Sequence, residues 1–131
     1  MKRKSILPNN KYIIAIDFDD TITKSNYGSN KIELRDGVKD VINLLHNEYN
    51  YIIIIWTCRN SVKDVTEAIK VLDDNSICYD YFNENCKEAI ELFGNDSRKI
   101  CADIYIDDRG LNFNMDWNWW DIYDEIIKKI I

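Results

Sequence analysis

The chain of 131 residues is 46% hydrophobic and 31% charged, with one proline and four glycines, and its 17 basic against 23 acidic residues give a net charge of −6. That length suits one compact domain, and that apolar share excludes disordered, linker-like and collagen-like chains. The acidic balance is the opposite of the basic surface that a general duplex-binding protein carries. The apolar run 52–56 is far below the roughly 18 residues of a membrane helix, and the Met1-Lys2-Arg3-Lys4 start has no apolar stretch behind it to serve as an export signal. Cys58, Cys78, Cys86 and Cys101 show no C-x-x-C spacing and have no neighbouring histidine. Neither a zinc site nor a disulfide framework is indicated, and a reducing, cytoplasmic setting is expected.

Residues 12–17 form a short β-rich run that breaks off into polar residues, the pattern of a buried parallel strand reaching the edge of its sheet. Residues 22–34 are polar between two short apolar flanks and predict a small hairpin or flap. From Asp36, the positions Val38, Val41, Ile42, Leu45 and Tyr49 recur at helical spacing, and Asn50 ends the pattern. Residues 51–57 predict a second strand, apolar on both faces, which gives way to Thr57, Cys58, Arg59 and Asn60. Ser61 is placed to cap a second helix with the stripe Val62, Val65, Ile69 and Leu72, closing at Asp73-Asp74-Asn75. A third strand at 78–82 leads through Asn83-Glu84-Asn85 into a short helix at 86–93 that Gly94-Asn95 terminates. A fourth strand at 102–106 ends in Asp107-Asp108-Arg109-Gly110. Residues 117–131 predict a last helix with Trp119, Trp120, Tyr123, Ile126, Ile127 and Ile130 on one broad face. Asp121 comes early in it and Lys128-Lys129 late, as the helix dipole favours.

Strand and helix alternate, so the expected fold is a single α/β domain over residues 1–131: a Rossmann-like, three-layer arrangement of a parallel sheet with helices on both faces. In such sheets ligands bind beyond the carboxyl ends of the strands, where the strand order reverses. Asp17, Thr57, Asn83 and Asp107 end the four strands, which gathers their polar residues along one edge.

Asp17-Phe18-Asp19-Asp20 brings three carboxylates past one strand, and Asp107-Asp108 adds two past another. Left alone, such a cluster repels itself. A divalent cation relieves the repulsion, and an all-oxygen ligand set suits Mg²⁺ rather than zinc. Solvated loop acids or helix caps account for any single pair, but the whole set at two strand ends points to a metal site.

These segments, in this order, resemble the haloacid dehalogenase superfamily of phosphotransferases. Its opening signature, D-x-D-x-T after a hydrophobic strand, is matched by Asp17-Phe18-Asp19-Asp20-Thr21. A Thr ending the next strand is matched by Thr57, and an acidic pair ending a later strand by Asp107-Asp108. The resemblance covers nearly the whole chain and is to small members without a cap domain. Asp20 stands where many members have Gly, a departure that Asp tolerates in turns.

The resemblance implies that Asp17 attacks phosphorus to form an aspartyl-phosphate and also binds the metal. Asp19 would protonate the leaving oxygen, later take a proton from the hydrolytic water, and offer its backbone carbonyl to Mg²⁺. Asp107 and Asp108 would complete the metal shell, and Thr57 would hydrogen-bond the phosphoryl group. The family's lysine is matched by either Lys87 or Lys99. If a strand runs back from Asp107, Lys99 lies roughly 20 to 26 Å away, which favours Lys87 unless that strand begins later. Arg59 and Arg109 follow site strands and suit phosphate oxygens, or alternatively pair with the site's own acids. Thr21, Cys58 and Asn85 join them as candidate substrate contacts, Cys58 being more a bystander. His46 lies within the first helix, away from the strand ends.

The expected activity is Mg²⁺-dependent hydrolysis of a phosphomonoester by a cytoplasmic enzyme, on a phosphorylated small metabolite or a nucleotide. An oligomer of identical chains would cover the open site, and no membrane partner is expected. The alternatives are removal of an end phosphate from a nucleic acid, or a non-catalytic, receiver-like module that binds phosphate or metal.

Overall fold

The computed structural model describes residues 2–24 and 31–130. Four strands, β1 (Ile13–Ile16), β2 (Ile52–Ile55), β3 (Tyr81–Phe82) and β4 (Ile104–Ile106), form one parallel sheet in the order β3-β2-β1-β4. The helices are α1 (Val38–Asn43), α2 (Val62–Asp74), α3 (Lys87–Phe93) and α4 (Trp119–Ile130). Helix α1 continues through Leu44–Glu48 in a wider turn, where the Tyr49 N–H reaches back five residues to the Leu44 carbonyl at 3.2 Å. The expected α/β plan is the observed one. Among the described residues no helix is long and apolar enough to cross a membrane.

The isoleucine runs are explained by a sheet buried on both faces. Ile14, Ile16, Ile53, Ile55, Ile104 and Ile106 face a core built with α1, α2 and α4. Ile13, Ala15, Ile52 and Ile54 face a smaller core with Leu7, α3 and the 100–102 segment. The register runs from Ile13↔Ile52 to Ile16↔Ile55 on one side of β1 and from Ile14↔Ile104 to Ile16↔Ile106 on the other. The chain leaves β1 for β2 and later returns to add β4 on β1's free edge, so the order reverses between β1 and β4.

Local signals hold with defined exceptions. The Ser61 hydroxyl accepts the Asp64 N–H at 3.1 Å and starts α2. Asn118 and Asp121 cap α4 reciprocally: Asn118 Oδ1 accepts the Trp120 and Asp121 N–H groups, and Asp121 Oδ2 accepts the Asn118 N–H at 2.9 Å. Gly94, at φ 74, ends α3. Strand β3 is shorter than the expected 78–82, because side chains take the bonding there: Asn43 Oδ1 accepts the Cys78 N–H, and Asp80 accepts the Ile53 N–H. Strand β4 starts at Ile104 rather than 102, the Ala102 N–H going to the Tyr105 hydroxyl. Ala68 and Leu72 carry the buried face of α2, whereas Val62 is 85% exposed. Of the expected flap, 25–30 lie outside the described residues. Its stems meet at an antiparallel Thr23↔Leu34 bridge, with Lys24 N–H donating to the Glu33 carbonyl at 2.8 Å.

Candidate active site

The chain leaves β1 through a tight turn whose shape depends on the Phe18 carbonyl, which accepts N–H bonds from Thr21, Ile22 and Thr23 at 3.4, 3.0 and 3.2 Å. Phe18 and Ile22 are fully buried and anchor the turn from below. Asp20 takes the left-handed conformation, φ 63, that the turn demands, so the residue standing in place of glycine pays a small steric cost. The Arg35 Nε and Nη2 donate to the Asp20 carbonyl at 3.1 and 2.8 Å, and its Nη1 donates to the Met115 carbonyl at 3.2 Å. One guanidinium therefore clasps the turn, the base of the flap and the 113–117 loop, with Phe113 beneath it at 5.5 Å.

Thr21 is the hub of the site. Its buried hydroxyl accepts the Asp108 N–H at 2.9 Å and lies 3.2 Å from both Asp17 Oδ2 and Asp108 Oδ1, with a single proton to donate between them. The Thr21 carbonyl accepts the Trp119 Nε1–H at 3.0 Å, which ties the turn to α4. Asp17, Asp107 and Asp108 thereby each bring a carboxylate oxygen within 4.8 Å of the others, at the point where the strand order reverses. Burial, the hydrogen bond shared with Asp108 and the charge of Asp107 push the Asp17 carboxyl up to about 8 from its ordinary 3.8, against the opposing pull of Thr21. Three half-buried carboxylates so close cannot all be ionised cheaply without a cation. An all-oxygen, all-carboxylate set fits a hard divalent ion such as Mg²⁺.

The side chain of Asp19 stands apart from this cluster, so its expected share in holding a metal would fall to its backbone carbonyl alone. Its two oxygens receive Arg59 Nε at 2.9 Å and Nη2 at 2.8 Å in a fork-to-carboxylate pair. Arg59 is held further by Glu67 Oε1 and the Asp64 carbonyl, each 2.9 Å from Nη1, and it stacks 5.1 Å over Phe18. The Asp19 bond, with Glu67 adding to it, raises the already high pKa of the guanidinium despite its partial burial. Of the two roles open to Arg59, the observed one is the ion pair.

Strand β2 ends at Ile55 rather than the expected 57, so Thr57 stands two residues past it, beside this pair, its Oγ1 accepting the Arg59 N–H at 3.3 Å. Asn83, itself left-handed at φ 55, grips the same turn: Oδ1 accepts the Thr57 N–H at 2.8 Å and Nδ2 donates to the Arg59 carbonyl at 3.1 Å. Cys58 is an exposed free thiol. Arg109 is 85% exposed, its Nε 3.8 Å from Asp108 Oδ2.

Two sequence candidates are not brought to the acids. Asn85 is 5% exposed, and its amide is consumed by Asp96, the Ser97 carbonyl and the Cys101 N–H, so it closes the α3 connection rather than facing substrate. Lys87 places Nζ 3.8 Å from Glu91 on its own helix, with its side chain 77% exposed. The distance argument against Lys99 does not apply, because β4 begins only at Ile104 and Lys99 folds back to set Nζ 5.2 Å over the Tyr105 ring. Arg35 was not among the sequence candidates; its position just after the flap and before Asp36-Gly37 was the available signal. Gly37, at φ 81, lies where a Cβ would meet Trp120 at 3.0 Å, so α4 packs tightly against the start of α1.

One solved structure, of a conserved protein coded by a locus from Bacteroides thetaiotaomicron, is similar to this chain with a TM-score of 0.72 and 29% sequence identity, over 89% of this chain and 90% of that one. No family model matches the chain, and no curated protein matches it. Fold and site together define an α/β domain with an acidic cluster at the reversal point of its parallel sheet.

Proposed function

We propose that the chain is a Mg²⁺-dependent phosphomonoester hydrolase working through an aspartyl-phosphate on Asp17. The observation that carries this reading is the approach of Asp17, Asp107 and Asp108 oxygens within 4.8 Å at the carboxyl edge of the sheet. Those three residues would hold the ion, which when bound supplies charge neutralisation for the phosphoryl group. Asp17 comes one residue past β1, at the carboxyl edge of the sheet. Attack by its oxygen forms the Asp17–phosphorus bond as the ester oxygen leaves; for Asp19 to pass that oxygen a proton it must first take one up from solvent and release one of its two Arg59 bonds. Water then attacks phosphorus, gives its proton to Asp19 and releases Asp17 with inorganic phosphate. Arg59 fixes where the Asp19 carboxylate stands, while Thr57 offers its hydroxyl to the phosphoryl oxygens. The lysine that would neutralise them stays open between Lys87, exposed beside Glu91, and Lys99, over the Tyr105 ring.

Phosphate release from an aryl phosphate, with and without Mg²⁺ and with Asp17→Asn as control, tests the reading. Metal-dependent turnover lost in the variant supports it, and turnover that survives in Asp17→Asn overturns it. The Arg59 fork on both Asp19 oxygens favours a second reading, a module that binds cation and phosphate without turnover. Mg²⁺ binding by the wild type with no phosphate release selects that one.

A further inference from the structure

One residue beyond the last β1–β2 pair, Ile16↔Ile55, Trp56 stands beside Asp17, its N–H donating to the Ile16 carbonyl at 2.8 Å. Alternation along β2 puts Trp56 on the face of Ile52 and Ile54, the face covered by α3. Tyr105 of β4 is paired with Ala15 and occupies the same face. Strands β2 and β4 flank β1 and are about 10 Å apart, yet the two rings approach to 5.6 Å between centroids. They meet across β1, where the residue in register with Tyr105 is the small Ala15, 2% exposed.

This pair is only half covered. Trp56 is 38% and Tyr105 39% exposed, beside the residue placed as nucleophile. The Lys99 ammonium lies 5.2 Å over the Tyr105 ring and sets a positive charge at the rim. Tyr105 and Lys99 also wall a cavity of about 570 Å³ that continues along α3 past Phe93, a volume in the range of small-molecule sites. A flat, rigid apolar surface with a cation at its edge, one strand from the phosphoryl site, matches a phosphate ester whose leaving group is planar and aromatic.

We propose that Trp56, buttressed by Tyr105, is the stacking shelf for the nucleobase of a nucleoside monophosphate, and so sets specificity at this site. The proposal rests on the phosphatase reading above and narrows its substrate class. The base stacks on the indole while the 5′-phosphate reaches Asp17. A sugar phosphate of the same charge lacks that contact.

The test compares kcat/KM for adenosine 5′-monophosphate and ribose 5-phosphate in wild type, Trp56→Ala and Trp56→Phe, and reads the ratio so that general damage cancels. The wild type is expected to prefer the nucleotide, Trp56→Ala to lower the ratio by about 5- to 150-fold, and Trp56→Phe to keep most of it. Equal use of both esters by the wild type, or a ratio that Trp56→Ala leaves unchanged, overturns the shelf. Binding of the same two compounds to Asp17→Asn protein, followed by calorimetry, separates the two readings. If the wild type releases phosphate from neither ester nor from an aryl phosphate, the phosphatase reading fails. Base-dependent binding lost in Trp56→Ala then still supports the shelf, and binding indifferent to the base overturns it.

Discussion

The two ends of the sheet treat the same residue type in opposite ways. At the amino end Asp103 is 4% exposed and fully engaged, its two oxygens accepting the Ile6 and Ile13 N–H groups at 2.8 and 2.7 Å. Asp80 is used likewise, accepting the Ile53 N–H at 2.9 Å and meeting His46 Nε2 at 3.0 Å. At the carboxyl end Asp17, Asp107 and Asp108 face one another instead, with one threonine hydroxyl shared between two of them. An acid that replaces missing sheet bonds is structural, because the backbone donors around it are satisfied by it. Acids that crowd each other lower stability and persist where a cation or a reaction needs them.

The largest effect that follows is on turnover. Asp17→Asn is expected to remove at least about 10³-fold of the metal-dependent phosphatase rate while leaving the fold intact by circular dichroism. Asp103→Ala should do the reverse, costing about 3 kcal/mol in urea unfolding by stranding two N–H groups, with no change in Mg²⁺ affinity. Comparable effects of both variants on both readouts would erase the contrast between the ends.

Arg59→Ala, which frees Asp19 from its fork, is expected to lower kcat by about 10²-fold with a smaller effect on KM, and Arg59→Lys to recover only part, since a single ammonium cannot hold both oxygens. Steady-state kinetics on an aryl phosphate checks this.

The pH dependence of stability sharpens the comparison further. Asp17 is raised from 3.8 to about 8, so between those values the metal-free folded state binds more protons than the unfolded chain. The Asp17 contribution to stability is therefore fully present below about pH 4 and lost as pH rises through about 8, and Mg²⁺ should flatten that loss. Melting temperatures from pH 4 to 9, with and without Mg²⁺, measure it. The smallest effect is at the opposite end. Burial lowers the His46 pKa, but its bonds to Asn47 and Asp80 outweigh that and raise it above 6.5. Its contribution, about 0.5 kcal/mol for a surface pair, is present below pH 6.5 and lost as pH rises through the raised value. His46→Gln should remove that increment without touching activity.

Much of this was legible along the chain. The apolar runs at 12–17 and 51–57 read as buried parallel strands, which the structure shortens to Ile13–Ile16 and Ile52–Ile55, and Ser61 and Gly94 bound their helices by local bonds alone. That Asp17 and Asp107 meet at one edge was readable because a buried strand that breaks into acids breaks at a sheet edge. The fate of longer polar side chains was not readable. Asn85 and Lys87 lie within three residues of each other in the same connection, yet one is sealed inside it and the other exposed on Glu91. The course of Lys99 was not readable either, because it depends on β4 starting only at Ile104 and on the side chain lying over Tyr105.

The sequence by itself thus determined the alternation of elements, the α/β class and the residues delivered to the carboxyl edge, since these follow from apolar periodicity and from caps a few residues long. Only the tertiary structure decided that Arg59 takes Asp19, that Arg35 locks the flap base to Asp20, that Asp103 serves the sheet rather than the site, and that Trp56 meets Tyr105 across β1. Each of those contacts joins residues 15 to 90 positions apart. Such a partner is chosen by which strands lie side by side and how far a side chain must reach, and neither quantity is carried by a local pattern.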